Sequence, residues 1–267
     1  LGLFLISIIC LAALFAPMIT RYDPYEQLIW TEGVSAKLVP PCREHWFGTD
    51  VYGRDIYSRV VYGARISIKI GFVATMMAAL IGVVLGCLAG YYGGLVDDII
   101  NWLINTFFAF PFMLFVLALV AYLPPSLTLM YLAIGMVSWA PFARVARGQV
   151  FQLKSMAFVE SAEAIGAGDF RIITRHILPN ILSPIIVQSG LEMGGNILLE
   201  SSLSFLGFGI QPPEPSWGFM VSEGSQYFLS GHWWWSVFPG IAIMVLVLGF
   251  NLLSDGLRDA LDPRIKQ

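Results

Sequence analysis

Four stretches of the chain, Leu1–Thr20, Ile70–Val96, Ile99–Ala143 and Gly224–Ser254, contain no Asp, Glu, Lys or Arg. A helix needs about 20 apolar residues to cross the hydrocarbon core of a bilayer, where every backbone polar group must be satisfied internally. These stretches are that long, and no soluble domain could bury all of them. Only 12% of the residues are charged and 57% are hydrophobic, against about 25% charged in soluble domains. The sequence therefore predicts an all-α, polytopic membrane protein.

Six spans are expected, at about Leu1–Ile19, Ile70–Gly90, Asp98–Tyr122, Leu127–Phe142, Asn180–Phe205 and Ser236–Leu253. Pro124-Pro125 divides the long third stretch, because proline disfavours a continuous helix and forces extended geometry on the residue before it. A tight turn is expected near Leu123–Ser126. The whole chain, 1–267, then forms a single transmembrane domain with an outer segment at 20–69, a cytoplasmic loop at 144–179 and a cytoplasmic tail at 254–267. The chain opens on Leu1 rather than methionine, which points to a polar tail ahead of the first span. A signal peptide is disfavoured, since no basic n-region or small-residue cleavage site is present.

Orientation rests on the cations. One side carries Arg21, Lys37, Arg43, Arg54, Arg59, Arg65 and Lys69, and the other Arg144, Arg147, Lys154, Arg171, Arg175, Arg258, Arg264 and Lys266. The second set sits in shorter segments, which weigh more in the positive-inside rule, so that side is expected to be cytoplasmic. Trp233-Trp234-Trp235 is expected in an aromatic belt at the opposite interface, and Arg144 and Arg147 as anchors of the fourth span.

The chain has few means of catalysis. A P-loop places a glycine before its lysine so that bare amides can wrap phosphates, and here the four lysines follow Ala36, Ile68, Leu153 and Ile265. His45, His176 and His232 are scattered, and no HExxH or CxxC motif occurs. No catalytic residue and no metal ligand is expected, and any ATPase driving transport must be another chain. Cys10 and Cys87 lie in apolar stretches and Cys42 in a polar one, so no disulfide framework is suggested. A net charge of −3 gives no sign of a nucleic-acid partner.

The most informative segment lies between the fourth and fifth spans. Met156–Ile165 is a run of good helix formers stopped by Gly166 and Gly168. Asp169 suits the N-cap of a second short helix running to Pro179. Phe158, Ile165, Phe170 and Ile173 would leave apolar surface exposed. An amphipathic connector lying on the lipid interface and a docking element for a partner subunit both fit.

Glu160-x-Ala162-x-x-x-Gly166, followed by Leu178-Pro179, resembles the EAA loop of bacterial ABC-importer permeases. Ser161 replaces the usual alanine, and His176 stands where many members have isoleucine. His176-Ile177-Leu178-Pro179-Asn180 is similar to the dipeptide/oligopeptide/nickel branch, C-type subunit. Four further segments resemble that branch: Phe47–Asp55 with Tyr62–Arg65, Ala89–Gly94, Leu203–Gly209 with Gln211-Pro212-Pro213 and Trp217-Gly218, and Asp255–Pro263. The resemblance implies a type I importer fold, a homologous permease as heterodimeric partner, two ABC ATPase subunits that hold ATP and Mg, and an extracytoplasmic binding protein. It implies ATPase coupling through Glu160, Ser161, Ala162, Ile165, Gly166, Ala167, Gly168 and Asp169. It implies peptide as substrate, with nickel chelates or glutathione as alternatives within the family.

Charged residues at membrane depth are costly and mark transport paths. Gln188, Glu192, Asn196 and Glu200 recur every fourth residue, on one face of the fifth span, and are candidates to line a pathway. Glu200 could instead be solvated near the outer interface, and Glu192 could pair with a neighbouring subunit. Gly190, Gly194 and Gly195 would permit close helix packing. Asn101 and Asn105 form a second polar stripe, suited to substrate or to interhelical hydrogen bonds. Gln211–Trp217, rich in proline, is expected as a stiff outer loop, capping the bundle or meeting a binding protein. Asp255 is expected to N-cap a last helix ended by Pro263. A rival class, an ion-gradient-driven transporter, would use Glu192 and Glu200 as proton sites, but the sequence shows no clear repeat of the kind such folds use. A membrane scaffold without transport would leave that polar face purely structural.

Overall fold

The computed structural model describes residues 1–30, 33–122 and 126–261 and is helical, with no strand among the described residues. The helices are α1 (Gly2–Leu14), α2 (Ala16–Ile19), α3 (Ile56–Tyr92), α4 (Gly94–Ala109), α5 (Phe112–Ala121), α6 (Leu127–Val137), α7 (Trp139–Lys154), α8 (Ala157–Ala164), α9 (Asp169–Ile172), α10 (Leu178–Phe205), α11 (Trp217–Phe228) and α12 (Trp234–Leu261). A π-helical turn, Ile173–Ile177, joins α9 to α10.

Among the described residues, three helices are long and apolar enough to cross a membrane: Ile56–Tyr92, Leu127–Lys154 and Trp234–Leu261. The pair α4–α5 makes a fourth candidate, bent by 87°. α1 is apolar but spans only 13 residues, and α10, at 28 residues, is long enough but interrupted by polar side chains. Its Ser, Asn, Gln and Glu residues suit contact with other helices or a wet path rather than lipid.

Several boundaries differ from expectation. The second helix begins at Ile56, not Ile70, because Asp55 caps it: its Oδ2 accepts from the Ser58 amide and hydroxyl, both at 2.8 Å. The cations in its early turns find partners in the protein. Arg65 Nε donates to the carbonyl of Ala13 at 2.6 Å. That carbonyl would bond residue 17 in a continuous helix, but residue 17 is proline and has no N–H to give. Thus Arg65 seals the break between α1 and α2, where a single first helix was expected.

The third span is broken rather than straight. Phe110 is extended (φ −85°, ψ 140°) before Pro111, and the axis turns there, as expected for a residue preceding proline. The fourth continues through Arg144 and Arg147 to Lys154. α12 runs unbroken from Trp234 to Leu261, so Asp255 lies inside a helix and caps nothing. α11 was not expected. Trp233 is exposed, but Trp234 and Trp235 are buried, and the belt reading does not hold for them. The turn at Pro124-Pro125 and the stop at Pro263 lie outside the described residues.

Packing centres on α3, whose most extensive contact is with α7. Gly82, Gly86 and Gly90 fall on one face of α3, against the α7 backbone. A Cβ on Gly86 would lie 2.6 Å from the Ala143 carbonyl oxygen, and one on Gly90 2.8 Å from that of Arg147. Among the three glycines singled out on α10, Gly190 is tight against Ser254, Gly194 has ordinary contacts and Gly195 faces open space.

Candidate functional site: a half-bare helix, a polar line and a cap

At one end of the bundle, α8 is seated on buried side chains. Val159 (0% exposed) and Ala162 (4%) point into a cluster with Tyr91, Val150, Ile172, Ile177 and Ile181. The outer side of the segment is bare: Phe158 on α8, Ile165 (86%) just past it and Phe170 (81%) on α9 are exposed, while Ile173 in the π turn is half-buried. Ala162, expected among the coupling residues, thus belongs to the base and not to the outer face. Glu160, Ser161, Gly166, Gly168 and Asp169 are exposed, and Ala167 is half-buried.

Gly166 takes φ +81°, a left-handed conformation that favours glycine, and this ends α8. The Ala167 amide returns to the Ala162 carbonyl at 3.0 Å. Gly168, not Asp169, occupies the N-cap of α9. The Asp169 carboxylate instead accepts from the Tyr91 hydroxyl at 3.1 Å, tying the loop to the end of α3. Beside it, Lys154 donates to the Tyr91 carbonyl at 2.6 Å, and Arg147 forms a forked ion pair with Asp97. Arg147 is therefore a link between α4 and α7 in the middle of α7, not an anchor at the end of a span.

The four polar residues of α10 divide into two kinds. Asn196 is 1% exposed and bonded through both ends of its amide: its Nδ2 donates to Thr75 Oγ1 and its Oδ1 accepts from Ser138 Oγ, which also faces the Ile134 carbonyl, each amide bond at 2.9 Å. Glu200 is fully buried and accepts from Ser204 (2.7 Å), Ser216 (3.2 Å) and Ser201 (3.4 Å). It is neither solvated, as one expectation had it, nor open to a path within this chain. Gln188 and Glu192 are half-buried and joined by a 2.9 Å hydrogen bond. Glu192 borders a cavity of about 450 Å3, and Gln188 one of about 520 Å3 shared with Gln149, Asp255 and Arg258.

Asn105 accepts from Arg144 at 3.0 Å, which makes it an interhelical tie. Asn101 is half-buried.

The opposite end is closed by a cap. Arg59, 1% exposed, donates through Nη1 to the carbonyls of Pro24 (2.8 Å) and Pro213 (3.4 Å). Tyr25 donates to Glu214 at 3.0 Å, and Trp217 Nε1 to the Val60 carbonyl at 2.8 Å. Arg54 pairs with Asp50 and, at 3.3 Å, with Glu223 on α11. Burial pushes the Glu223 carboxyl up, against the downward pull of Arg54, while burial and the bond to Glu214 raise the Tyr25 hydroxyl. The proline-rich loop therefore caps the bundle. Sequence reasoning missed the phenylalanines around Pro111 that line the 450 Å3 cavity; the signal was Phe107-Phe108-Ala109-Phe110-Pro111-Phe112 itself.

A model of the family described as "Binding-protein-dependent transport system inner membrane component" matches residues 82–267. The dipeptide transport system permease protein DppC of Alkalihalophilus pseudofirmus is 46% identical over 265 residues, covering 99% of this chain and 85% of the relative. The glutathione transport system permease protein GsiD of Escherichia coli O6:K15:H31 is 44% identical over 266 residues, covering 99% and 86%. The fold is similar to that of a chain of the MetNI methionine ABC transporter in an inward-facing conformation, with a TM-score of 0.61 and 16% identity over 76% of this chain and 96% of that one.

Proposed function

The chain belongs to the family of binding-protein-dependent transport system inner membrane components, and on that premise we propose that it is one transmembrane subunit of an ATP-driven importer moving di- and oligopeptides across the cytoplasmic membrane by alternating access. The chain acts as one transmembrane domain of six spans: residues 2–19, α3, the bent pair α4–α5, α6–α7, α10 and α12. The α8 end and the end of α12 face the cytoplasm, as the cations of the short segments there favour. The capped end faces outward, toward the binding protein. The remaining partners are a homologous permease and two ATPase subunits, which supply ATP and Mg chemistry that this chain does not.

One observation carries the mechanism: the α8–α9 segment presents Ile165, just past α8, and Phe170, on α9, outward while Val159 and Ala162 of α8 are wedged beneath. A closing ATPase that grips the outer face pushes a base shared with α3, α7 and α10, so the push reaches the helix that carries Gln188 and Glu192. The relatives' names favour peptide, and the 44% identity to GsiD favours glutathione as a second reading. Substituting both Ile165 and Phe170 with glutamate tests the coupling. ATPase co-purification is expected to fall at least tenfold and uptake to stop, while the chain still inserts and pairs with its permease partner. Normal peptide-stimulated ATP hydrolysis by that complex would overturn the coupling, and uptake that survives ATP depletion but collapses with an uncoupler would overturn the ATP-driven class.

A further inference from the structure

The elbow at Pro111 and the middle of α10 enclose the cavity of about 450 Å3, a size suited to a small ligand. Phe107, Phe108, Phe110 and Phe112 wall it from one side, and Glu192 and Asn196 from the other. Asn196 has its partners inside the chain. Glu192 accepts one hydrogen bond, from Gln188, and no ion pair to it is found among the described residues. An ionised carboxylate has capacity for about four such bonds.

A cavity with a carboxylate on one wall and aromatic rings on the other attracts a cation twice, through the charge and through the ring quadrupoles. Phe108 already serves this way, with the Arg144 guanidinium 3.9 Å from its ring centroid. The surroundings do not suit a metal ion, because no group of three or more His, Cys, Asp or Glu able to hold one occurs among the described residues. They do suit an organic ammonium with apolar substituents.

We propose that this cavity is a subsite for the free N-terminal ammonium of the translocating peptide, with Glu192 as its counter-ion and the phenylalanines flanking the first residue. The inference rests on the peptide-importer reading. It assigns to the permease a selection of its own, separate from that of any binding protein.

The test uses the assembled permease–ATPase complex without binding protein, with Cys10, Cys42 and Cys87 replaced by serine and Gly195→Cys as reporter. Gly195 lines the cavity, and a Cβ there meets nothing within 4 Å. Ala-Ala is expected to slow thiol modification of that cysteine, and N-acetyl-Ala-Ala to need at least tenfold more for equal protection. Glu192→Gln is expected to erase the difference and Glu192→Asp to keep it. Equal protection by both compounds, protection by neither, or an undiminished difference in Glu192→Gln would overturn the proposal. If the peptide reading itself fails, the complete wild-type complex with its binding protein shows no ATP-driven Ala-Ala uptake. If only this inference fails, uptake persists without ammonium discrimination.

Discussion

Asn196 joins three helices through one amide, with Thr75 of α3 on its nitrogen and Ser138, at the α6–α7 junction, on its oxygen. A buried polar group left without its partner costs about 1–3 kcal/mol, whereas exchanging all partners for apolar groups of similar shape can be nearly neutral. Asn196→Leu is therefore expected to destabilise the chain by about that amount. Adding Thr75→Val and Ser138→Ala should recover part of the loss in thermal unfolding of the detergent-solubilised protein; no recovery would show that the bonds are incidental. The period of four that places Gln188, Glu192, Asn196 and Glu200 on one face was legible in the sequence. Which of them are satisfied internally was not, because Thr75, Ser138 and Ser216 are brought to that face only by the packing of distant segments.

Among the elements, α3 and α7 hold the bundle by close backbone approach at the glycines of α3, with Tyr91, Phe142 and Val150 buried alongside. Small residues let helices in a membrane approach closely, and dispersion then acts over many atoms. Gly86→Leu would drive a side chain into the Ala143 carbonyl, and overpacking of this kind costs about 1–3 kcal/mol or more. Lower yield of folded protein and a lower unfolding temperature are expected, while Gly195→Leu, facing open space, should leave both unchanged. Helix ends were best foreseen where a glycine stops the helix, as Gly166 does after α8. They were worst foreseen where charge was taken as a boundary. Arg59 and Arg65 sit on α3 because backbone carbonyls elsewhere in the fold receive them, and a charge count along the chain does not register such acceptors.

At the scale of the whole molecule, the two ends are built differently. One offers α8, bare on the outside and anchored within; the other is closed by Arg59 bridging Pro24 and Pro213. Arg59→Met should release the cap without disturbing α8. Faster proteolysis within residues 20–55 is expected, with ATPase attachment unchanged, and loss of both together would show that the ends are not mechanically separate.

By itself the sequence determined that the chain is a helical membrane protein, that its charge is concentrated between spans, and that helix–glycine–helix follows the fourth span. These are local properties: hydropathy over about 20 residues and the conformational freedom of glycine act without reference to distant parts. Only the tertiary structure decided that Ala162 faces inward and Ile165 outward, that Glu200 is enclosed by serine hydroxyls while Glu192 borders a cavity, and that Pro111 folds four phenylalanines toward α10. Burial and polar satisfaction depend on which atoms converge in space, and helices far apart in the chain supply those atoms.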